Sequence, residues 1–270
     1  MYPKKELAQI LISACHQFKI ETVVISPGSR NAPLTIGFSN HSEIETFSIV
    51  DERCAAFYAL GIAQQTQKPV AILCTSGSAL LNYYPAIAEA FYSNIPLVVL
   101  SADRPKHLID IGDGQTIRQE NVFENHILFS ANLIENPKFK TRNSQLIGEA
   151  LQIATSNKGP VHINIPFDEP LYETVSVLED FHFPRISMSS LDNSHVDYSF
   201  FADIWNSAKK KIILVGVNFP DKKINELIHF YAEDSSVLIL TETTSNLHHT
   251  NVVDSIDQFI FTLNKTENKK

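Results

Sequence analysis

The sequence predicts an α/β fold: a doubly wound, mostly parallel sheet followed by part of a second α/β domain. Apolar strand-like runs alternate with segments of helical spacing over most of the first 165 residues. The runs at 70–73 and 97–100 are continuously apolar, which is typical of parallel strands buried on both faces. Short polar strings follow several of these runs, at the sheet edge where α/β proteins bind ligands.

The predicted elements of the first domain follow one another in helix–strand order. The segment 4–18 opens the series, with apolar residues at Leu7, Ile10, Leu11 and Ala14 in helical spacing. The later elements are a strand at 22–26, a helix at 30–39, a strand at 45–50, a helix at 54–65, a strand at 70–75, a helix at 79–93, a strand at 97–102, a helix at 143–156 and a strand at 161–165. A loop-rich stretch is predicted at 103–129.

The character of the sequence changes after residue 168. Pro170, Pro184 and a polar run at 187–194 predict a linker across the surface. A second α/β pattern then begins with a helix at 197–209, a strand at 211–217, a helix at 221–234 and a strand at 237–240. Since the pattern stops after two strands, this domain is predicted to be incomplete. The predicted limits are 1–175 for the first domain, 176–196 for the linker and 197–270 for the partial second domain.

Composition narrows the class of protein. With 44% hydrophobic and 19% charged residues, the chain is predicted to form a globular core. A net charge of −8 without a long basic run argues against a nucleic-acid partner. Three cysteines without a C-x-x-C pair favour a reducing compartment. Neither a signal-peptide core nor an apolar run long enough for a bilayer is visible, so a cytoplasmic protein without a membrane span is expected.

Two polar strings carry the strongest candidates for function. Glu52 follows the strand at 45–50 and can exchange a proton with a ring nitrogen of a ligand, although a carboxylate at a helix start is often only structural. Arg30 and Arg104 each follow a strand and are candidates for binding an anionic substrate, because guanidinium groups hold carboxylates bidentately. Arg118 can join them or can serve as an ion-pair residue beside Glu120.

Three further strings are weaker signals. Ser76 and Gly77 lie between a strand and a helix, where they form either a tight turn with a helix cap or a set of N–H groups aimed at a ligand. The string Gly-Asp-Gly at 112–114 resembles the start of a metal–diphosphate site, but it follows no strand and no Asn-Asn pair completes it, so a loop is predicted. The pair His248-His249 has no Cys or carboxylate partner at ligand spacing, and no metal site is predicted.

Taken in order, six motifs resemble one family. They are Ser-Pro-Gly-Ser-Arg-Asn-Ala-Pro-Leu at 26–34, Asp-Glu-Arg at 51–53, Thr-Ser-Gly-Ser-Ala at 75–79, Ala-Asp-Arg-Pro at 102–105, Gln-Thr-Ile-Arg-Gln at 115–119 and Val-His-Ile-Asn-Ile-Pro-Phe at 161–167. Together they resemble the thiamine-diphosphate synthases of menaquinone biosynthesis (MenD). The resemblance is dense over 1–175 and looser from 195 onward.

The resemblance implies the first part of a longer chain with three domains. The first domain of the family binds the pyrimidine of thiamine diphosphate, the middle one is α/β, and the third grips the diphosphate and Mg²⁺. The diphosphate and metal domain is expected to be absent from this sequence, which is then a fragment without activity of its own. Because the cofactor of the family lies between two subunits, a homodimer or higher homo-oligomer is expected.

The same resemblance implies roles for single residues. Glu52 matches the glutamate that hydrogen-bonds the pyrimidine ring and primes the cofactor. Arg30, Arg104, Ser29 and Gln115 match contacts to the substrates, 2-oxoglutarate and isochorismate, and Ser76 and Gly77 match the cofactor-binding turn. The family reaction decarboxylates 2-oxoglutarate and adds the remaining carbanion to isochorismate.

The sequence departs from the family pattern at one position, and two alternative functions stay open. Asp113 stands where family members usually carry a small residue, and its carboxylate would repel an anionic substrate unless it points away. A stand-alone anion-binding or regulatory module would use Arg30 and Arg104 without any chemistry. Another thiamine enzyme, such as an acetolactate-synthase relative, is disfavoured by the Ser-Pro-Gly-Ser-Arg string at 26–30.

Overall fold

The structure is a computed structural model that describes residues 1–183 and 197–261. It divides into two compact units, Met1–Met188 and Ser189–Lys270. Of the predicted linker, residues 184–196 lie outside the described residues. Phe181 and Phe183, inside the predicted linker, are buried in the core of the first unit. The domain limits at 175 and 196 stay a prediction.

A six-stranded parallel sheet forms the centre of the first unit. Its strands are β2 (Thr22–Ile25), β3 (Glu45–Ser48), β4 (Val70–Cys74), β5 (Leu97–Asp103), β6 (Phe129–Asn132) and β7 (Val161–Pro166). They are arranged in the order β3-β2-β4-β5-β7-β6, and every neighbouring pair is parallel. The chain reverses its direction of winding after β3, which confirms the predicted doubly wound fold.

Helices cover both faces of this sheet. They are α1 (Glu6–Gln17), α2 (Ala32–Ser39), α3 (Glu52–Thr66), α4 (Ser78–Leu81), α5 (Tyr84–Tyr92) and α6 (Lys140–Asn157). Val98 and Leu100 of β5 point into one core, with α1 and α6, and Val99 points into the other, with α3 and α5. Because both faces are buried, the central strands read as continuous apolar runs.

Two short elements of the first unit differ from the sequence prediction. The helix predicted at 79–93 is two helices, α4 and α5, and Pro85 lies in the first turn of the second. Proline fits a first helical turn but breaks a helix interior, because it lacks an N–H group. The strand β6 was not predicted, since it has four residues, two of them polar. Another short pair, β1 (Tyr2–Pro3) and β8 (Thr174–Val175), is antiparallel.

The second unit contains a smaller parallel sheet. Its elements are α7 (Ser199–Ser207), β9 (Lys211–Val215), α8 (Lys222–Ala232), β10 (Val237–Thr241), β11 (Val252–Val253) and α9 (Ile256–Phe261). Three strands pair in the order β11-β10-β9, so the prediction that the pattern stops after two strands was wrong. With only two residues, β11 is too short to give an apolar run. None of the helices within 1–183 and 197–261 has the length and apolarity to cross a bilayer.

Candidate active site

The predicted site residues lie along one edge of the six-stranded sheet. In a parallel sheet all carboxyl ends meet at the same edge. The string 26–30 follows β2, Glu52 follows β3, the turn at 75–77 follows β4, and Arg104 follows β5. Register places Asp103 at the end of β5 beside Pro166 at the end of β7. Residues at or after the ends of five strands are therefore brought to one edge.

Glu52 begins α3 and offers a carboxylate to this edge. The cap of the helix is Asp51, whose Oδ1 accepts a hydrogen bond from the N–H of Cys54 at 2.8 Å. Glu52 is half-buried, and within the described residues its carboxylate makes no hydrogen bond or ion pair. Burial raises the pKa of the Cys74 thiol and of the Tyr83 phenol, and the charge of Glu52 raises both further. The carboxylate of Glu52 is thus unpaired among the described residues, and the nearby Cys74 thiol and Tyr83 phenol are neutral.

Arg30 is a buried cation at the same edge. Its Nη1 donates a hydrogen bond to the carbonyl oxygen of Phe167 at 2.8 Å, and its Nη2 lies 3.4 Å from Oε1 of Glu169. Burial lowers the pKa of Arg30, and the nearby charge of Arg104 lowers it further. An arginine pKa starts so high that the guanidinium stays charged at neutral pH. Arg30 and Arg104 thus lie close enough for their charges to interact, and the carboxylates of Glu169 and Asp113 face the same two guanidinium groups. That these arginines bind substrate stays a prediction.

Arg104 has a counterion of its own. Its Nη1 lies 3.1 Å from Oδ2 of Asp113, and its Nη2 donates to the carbonyl oxygen of Gly114 at 3.1 Å. The Gly-Asp-Gly string forms a loop, as predicted, but the Asp113 carboxylate faces the Arg104 guanidinium rather than pointing away from it. Arg118 does not join Arg30 and Arg104, since it is exposed and pairs with Asp110 at 2.9 Å.

The turn at Ser76 and Gly77 is fixed by the loop that follows β5. Oγ of Ser76 donates to the carbonyl oxygen of Gln115 at 3.2 Å, and the N–H of Gly77 donates to Oε1 of Gln119 at 2.8 Å. Gly77 has φ +88°, and a Cβ there would lie 2.7 Å from the Gln115 carbonyl oxygen, so only glycine fits. Ser29 and Gln115 are exposed at this edge, which leaves their side chains accessible to a ligand.

A buried polar network lies beneath the edge, and sequence reasoning did not identify it. Its members are Ser101 and Asp103 on β5, His162 and Asn164 on β7, and Gln119. The strand residues alternate with apolar ones, and Ser101 pairs in register with Asn164. Polar residues at every second position of a buried strand were the available signal.

The hydrogen bonds of this network determine the state of His162. The single hydroxyl proton of Ser101 goes to Oδ1 of Asn164 at 2.7 Å, so Nε2–H of His162 donates to Oγ of Ser101 at 2.7 Å. Nδ1 of His162 is buried without a partner. Burial lowers the pKa of His162 to about 3, and the ring is therefore neutral at neutral pH.

We expect His162 to make the protein less stable in mild acid. The unfolded chain takes up a proton near pH 6.5 and the folded chain only near pH 3, so unfolding binds a proton in this window. The free energy of unfolding should then fall as pH is lowered, by about 1.4 kcal/mol per pH unit from this group. Urea unfolding of wild type and His162→Gln between these pH values measures the difference in slope. Equal slopes would contradict the assignment.

The histidine pair at 248–249 and the other possible metal ligands were the last candidates from the sequence. Among the described residues, no group of three or more His, Cys, Asp or Glu side chains could hold a metal ion. His249 lies near Glu233, with Nε2 3.3 Å from Oε1, and its ring lies 4.7 Å from that of His229. The histidine pair at 248–249 is therefore part of a small surface cluster.

Comparison with known proteins shows which class of enzymes the first unit resembles. A family profile described as "Thiamine pyrophosphate enzyme, N-terminal TPP binding domain" matches residues 5–128. These residues include Arg30, Glu52, the turn at 76–77 and Arg104. Most of the first unit therefore resembles the N-terminal binding domain of thiamine-diphosphate enzymes, the class that the six motifs predicted.

Relatives of this chain narrow the class further. A 2-succinyl-5-enolpyruvyl-6-hydroxy-3-cyclohexene-1-carboxylate synthase of Flavobacterium psychrophilum is 56% identical over 266 residues, which cover 96% of this chain and 47% of the relative. The synthase of the same name from Christiangramia forsetii is 51% identical over 288 aligned positions, covering 100% of this chain and 50% of the relative. The chain belongs to this synthase family. It spans about half the length of the curated relatives it matches.

Proposed function

We propose that this chain provides the cofactor-priming and substrate-binding half of a synthase that decarboxylates 2-oxoglutarate and joins the product to isochorismate. The observation that supports it is the free Glu52 carboxylate on the same sheet edge as the buried cation Arg30. Thiamine diphosphate, when bound, would stabilise the negative charge that decarboxylation leaves. The diphosphate and Mg²⁺ are expected on the remaining length of the full protein.

The residues of this edge fit the ring of such a cofactor. Glu52 would hold a proton at a ring nitrogen, because its carboxylate has no partner among the described residues. The tight turn at Ser76 and Gly77 would contribute backbone groups at the same edge, where Gln115 packs so closely against Gly77 that position 77 cannot carry a side chain. Arg30 and Arg104, with Ser29 and Gln115, would orient the substrate carboxylates.

A turnover assay tests this proposal. The 270-residue chain with thiamine diphosphate, Mg²⁺, 2-oxoglutarate and isochorismate should give no product, whereas the full-length protein should release CO₂ and form the adduct. Turnover by the 270-residue chain would contradict the proposal that this chain carries only half of the active site. An inactive full-length protein that still binds 2-oxoglutarate would instead favour the alternative of an anion-binding or regulatory module that uses Arg30 and Arg104.

Exposed apolar side chains close to Glu52 in the chain support a homo-oligomer. Val50 precedes Glu52, and Phe57 and Tyr58 lie on the helix that Glu52 begins; they are 78%, 44% and 45% exposed. Exposed apolar side chains of this kind are common at protein contacts. We expect a dimer in sedimentation equilibrium of the full-length protein, and a double substitution of Phe57 and Tyr58 by Ser should shift it toward monomer. A wild-type monomer at all concentrations would refute the assignment.

Asp113 should weaken substrate binding. Its carboxylate occupies Nη1 of Arg104, so a substrate carboxylate must displace it. The Asp113→Asn variant keeps the shape and removes the charge, and the affinity for 2-oxoglutarate should rise about fivefold, the effect of one partly exposed charge pair at ~1 kcal/mol. Calorimetry at constant ionic strength measures it, with Asp110→Asn as the control for a distant pair. Weaker binding by Asp113→Asn would show that Asp113 assists the substrate.

A further inference from the structure

Gln119 connects three segments of the active-site edge through one buried amide. The residue is fully buried. Its Oε1 accepts the hydrogen bond from the N–H of Gly77 at 2.8 Å, and its Nε2 donates to Oδ1 of Asn164 at 2.9 Å and to the carbonyl oxygen of Ala102 at 3.2 Å. The turn after β4 and the strands β5 and β7 thus share one side chain.

The connection continues from Asn164 to Arg104. Nδ2 of Asn164 donates to Oδ2 of Asp103 at 2.8 Å, and Oδ1 of Asp103 accepts from the N–H of Arg104 at 2.8 Å. Four hydrogen bonds in series therefore join the peptide of Gly77 to the peptide of Arg104. Asp103 and Asn164 are each 3% exposed, so water does not compete for these bonds.

The donor and acceptor pattern permits only one orientation of the Gln119 amide. Rotating it by 180° would aim its NH₂ group at the N–H of Gly77 and its oxygen at two acceptors, Oδ1 of Asn164 and the carbonyl oxygen of Ala102. Both new pairings would be repulsive. A movement of Arg104 cannot be absorbed by an amide flip and must instead be transmitted to, or resisted by, the turn at Gly77.

We propose that Gln119 is a positioning residue that couples the segment carrying Arg104 to the turn at Ser76 and Gly77. The assignment of substrate to Arg104 and of cofactor to the turn rests on the proposed function. The coupling itself rests on the hydrogen bonds alone. Under the proposed function, a substrate carboxylate that orders Arg104 also orders the turn beside the cofactor.

Ser101 supplies a matched control for a merely structural role. It is also fully buried in the network, where it donates to Asn164 at 2.7 Å and lies 2.7 Å from Nε2 of His162. It contacts neither Gly77 nor Arg104. Both Ser101→Ala and Gln119→Met remove buried hydrogen bonds, and methionine keeps nearly the volume of glutamine. Only Gln119→Met interrupts the series between Gly77 and Arg104.

Amide hydrogen exchange of the ligand-free chain tests the coupling. In Gln119→Met we expect the exchange of the peptides at 75–78 and at 104 to rise together, by about tenfold or more. In Ser101→Ala the exchange of both segments should stay within about twofold of wild type when each protein is measured at the same interval below its own thermal midpoint. Unchanged exchange at Arg104 in Gln119→Met, or an equal rise in both variants, would overturn the proposal. Should Gln119→Met not fold, Gln119→Leu and the Asn164→Asp variant interrupt the same series.

Adding 2-oxoglutarate separates this inference from the proposed function. In wild type the ligand should slow exchange at Arg104 and at Gly77, and in Gln119→Met it should slow exchange at Arg104 only. Protection of both segments in Gln119→Met would refute the coupling. No protection at Arg104 in wild type would refute the substrate site instead, and the ligand-free exchange would then decide the coupling by itself.

Discussion

In the full-length protein, Glu52→Gln is expected to reduce kcat by about 10²–10⁴-fold, the usual contribution of a positioned general acid or base. Glutamine has the shape of glutamate but cannot hold an exchangeable proton at the same atom. Glu52 makes no hydrogen bond or ion pair within the described residues, so the folded state should lose little when its charge is removed. Steady-state CO₂ release and thermal unfolding measure the two quantities separately.

The control for this variant is Glu45→Gln. Glu45 is exposed and begins β3, whereas Glu52 lies beyond the end of that strand. The two substitutions make the same chemical change at opposite edges of the sheet. Glu45→Gln should leave both kcat and the thermal midpoint unchanged. If Glu52→Gln retained more than about a tenth of wild-type kcat, the proton-holding role would be wrong.

The parts of the fold that the sequence predicted are those fixed by local patterns. β4 and β5 are recognisable because burial on both faces leaves them continuously apolar. Glu52 and Arg30 could be proposed as site residues because each follows a strand after a short turn, and strand ends define the binding edge. β6 and β11 were missed, since elements of four and two residues are too short to show a period.

The hydrogen-bond network around Gln119 could not be predicted from local sequence patterns. Gln119 lies in a segment without regular structure, and its partners on β5 and β7 are defined by strand register. The pairing of Arg104 with Asp113 depends on the path of the intervening loop, in which Asp110 has φ +65°. Left-handed backbone at a residue other than glycine is uncommon, so the sequence offered no reason to expect that the Asp113 carboxylate would turn toward Arg104.

Arg30→Ala is expected to lower the affinity of the full-length protein for 2-oxoglutarate by about 10–100-fold, or ~1.4–3 kcal/mol for a charge-assisted hydrogen bond. Arg30 is 6% exposed, and its charge is therefore screened less than that of a surface arginine. The variant should also unfold more easily, because the carbonyl oxygen of Phe167 loses its donor. Calorimetry and urea unfolding measure the two effects.

Two further variants, Arg30→Lys and Arg118→Ala, show whether anion binding depends on the local charge at position 30, on the shape of the guanidinium group or on the net charge of the protein. Lysine keeps the charge but not the planar fork, so Arg30→Lys should bind 2-oxoglutarate with intermediate affinity. Arg118 is 83% exposed in its side chain and pairs with Asp110, and its removal changes the net charge by the same amount as Arg30→Ala. If Arg118→Ala weakened binding as much as Arg30→Ala, net charge rather than a defined pocket would attract the anion. A loss confined to the Arg30 variants would indicate a defined binding site, since Arg30 is held in place by burial and by the carbonyl oxygen of Phe167, whereas Arg118 is exposed.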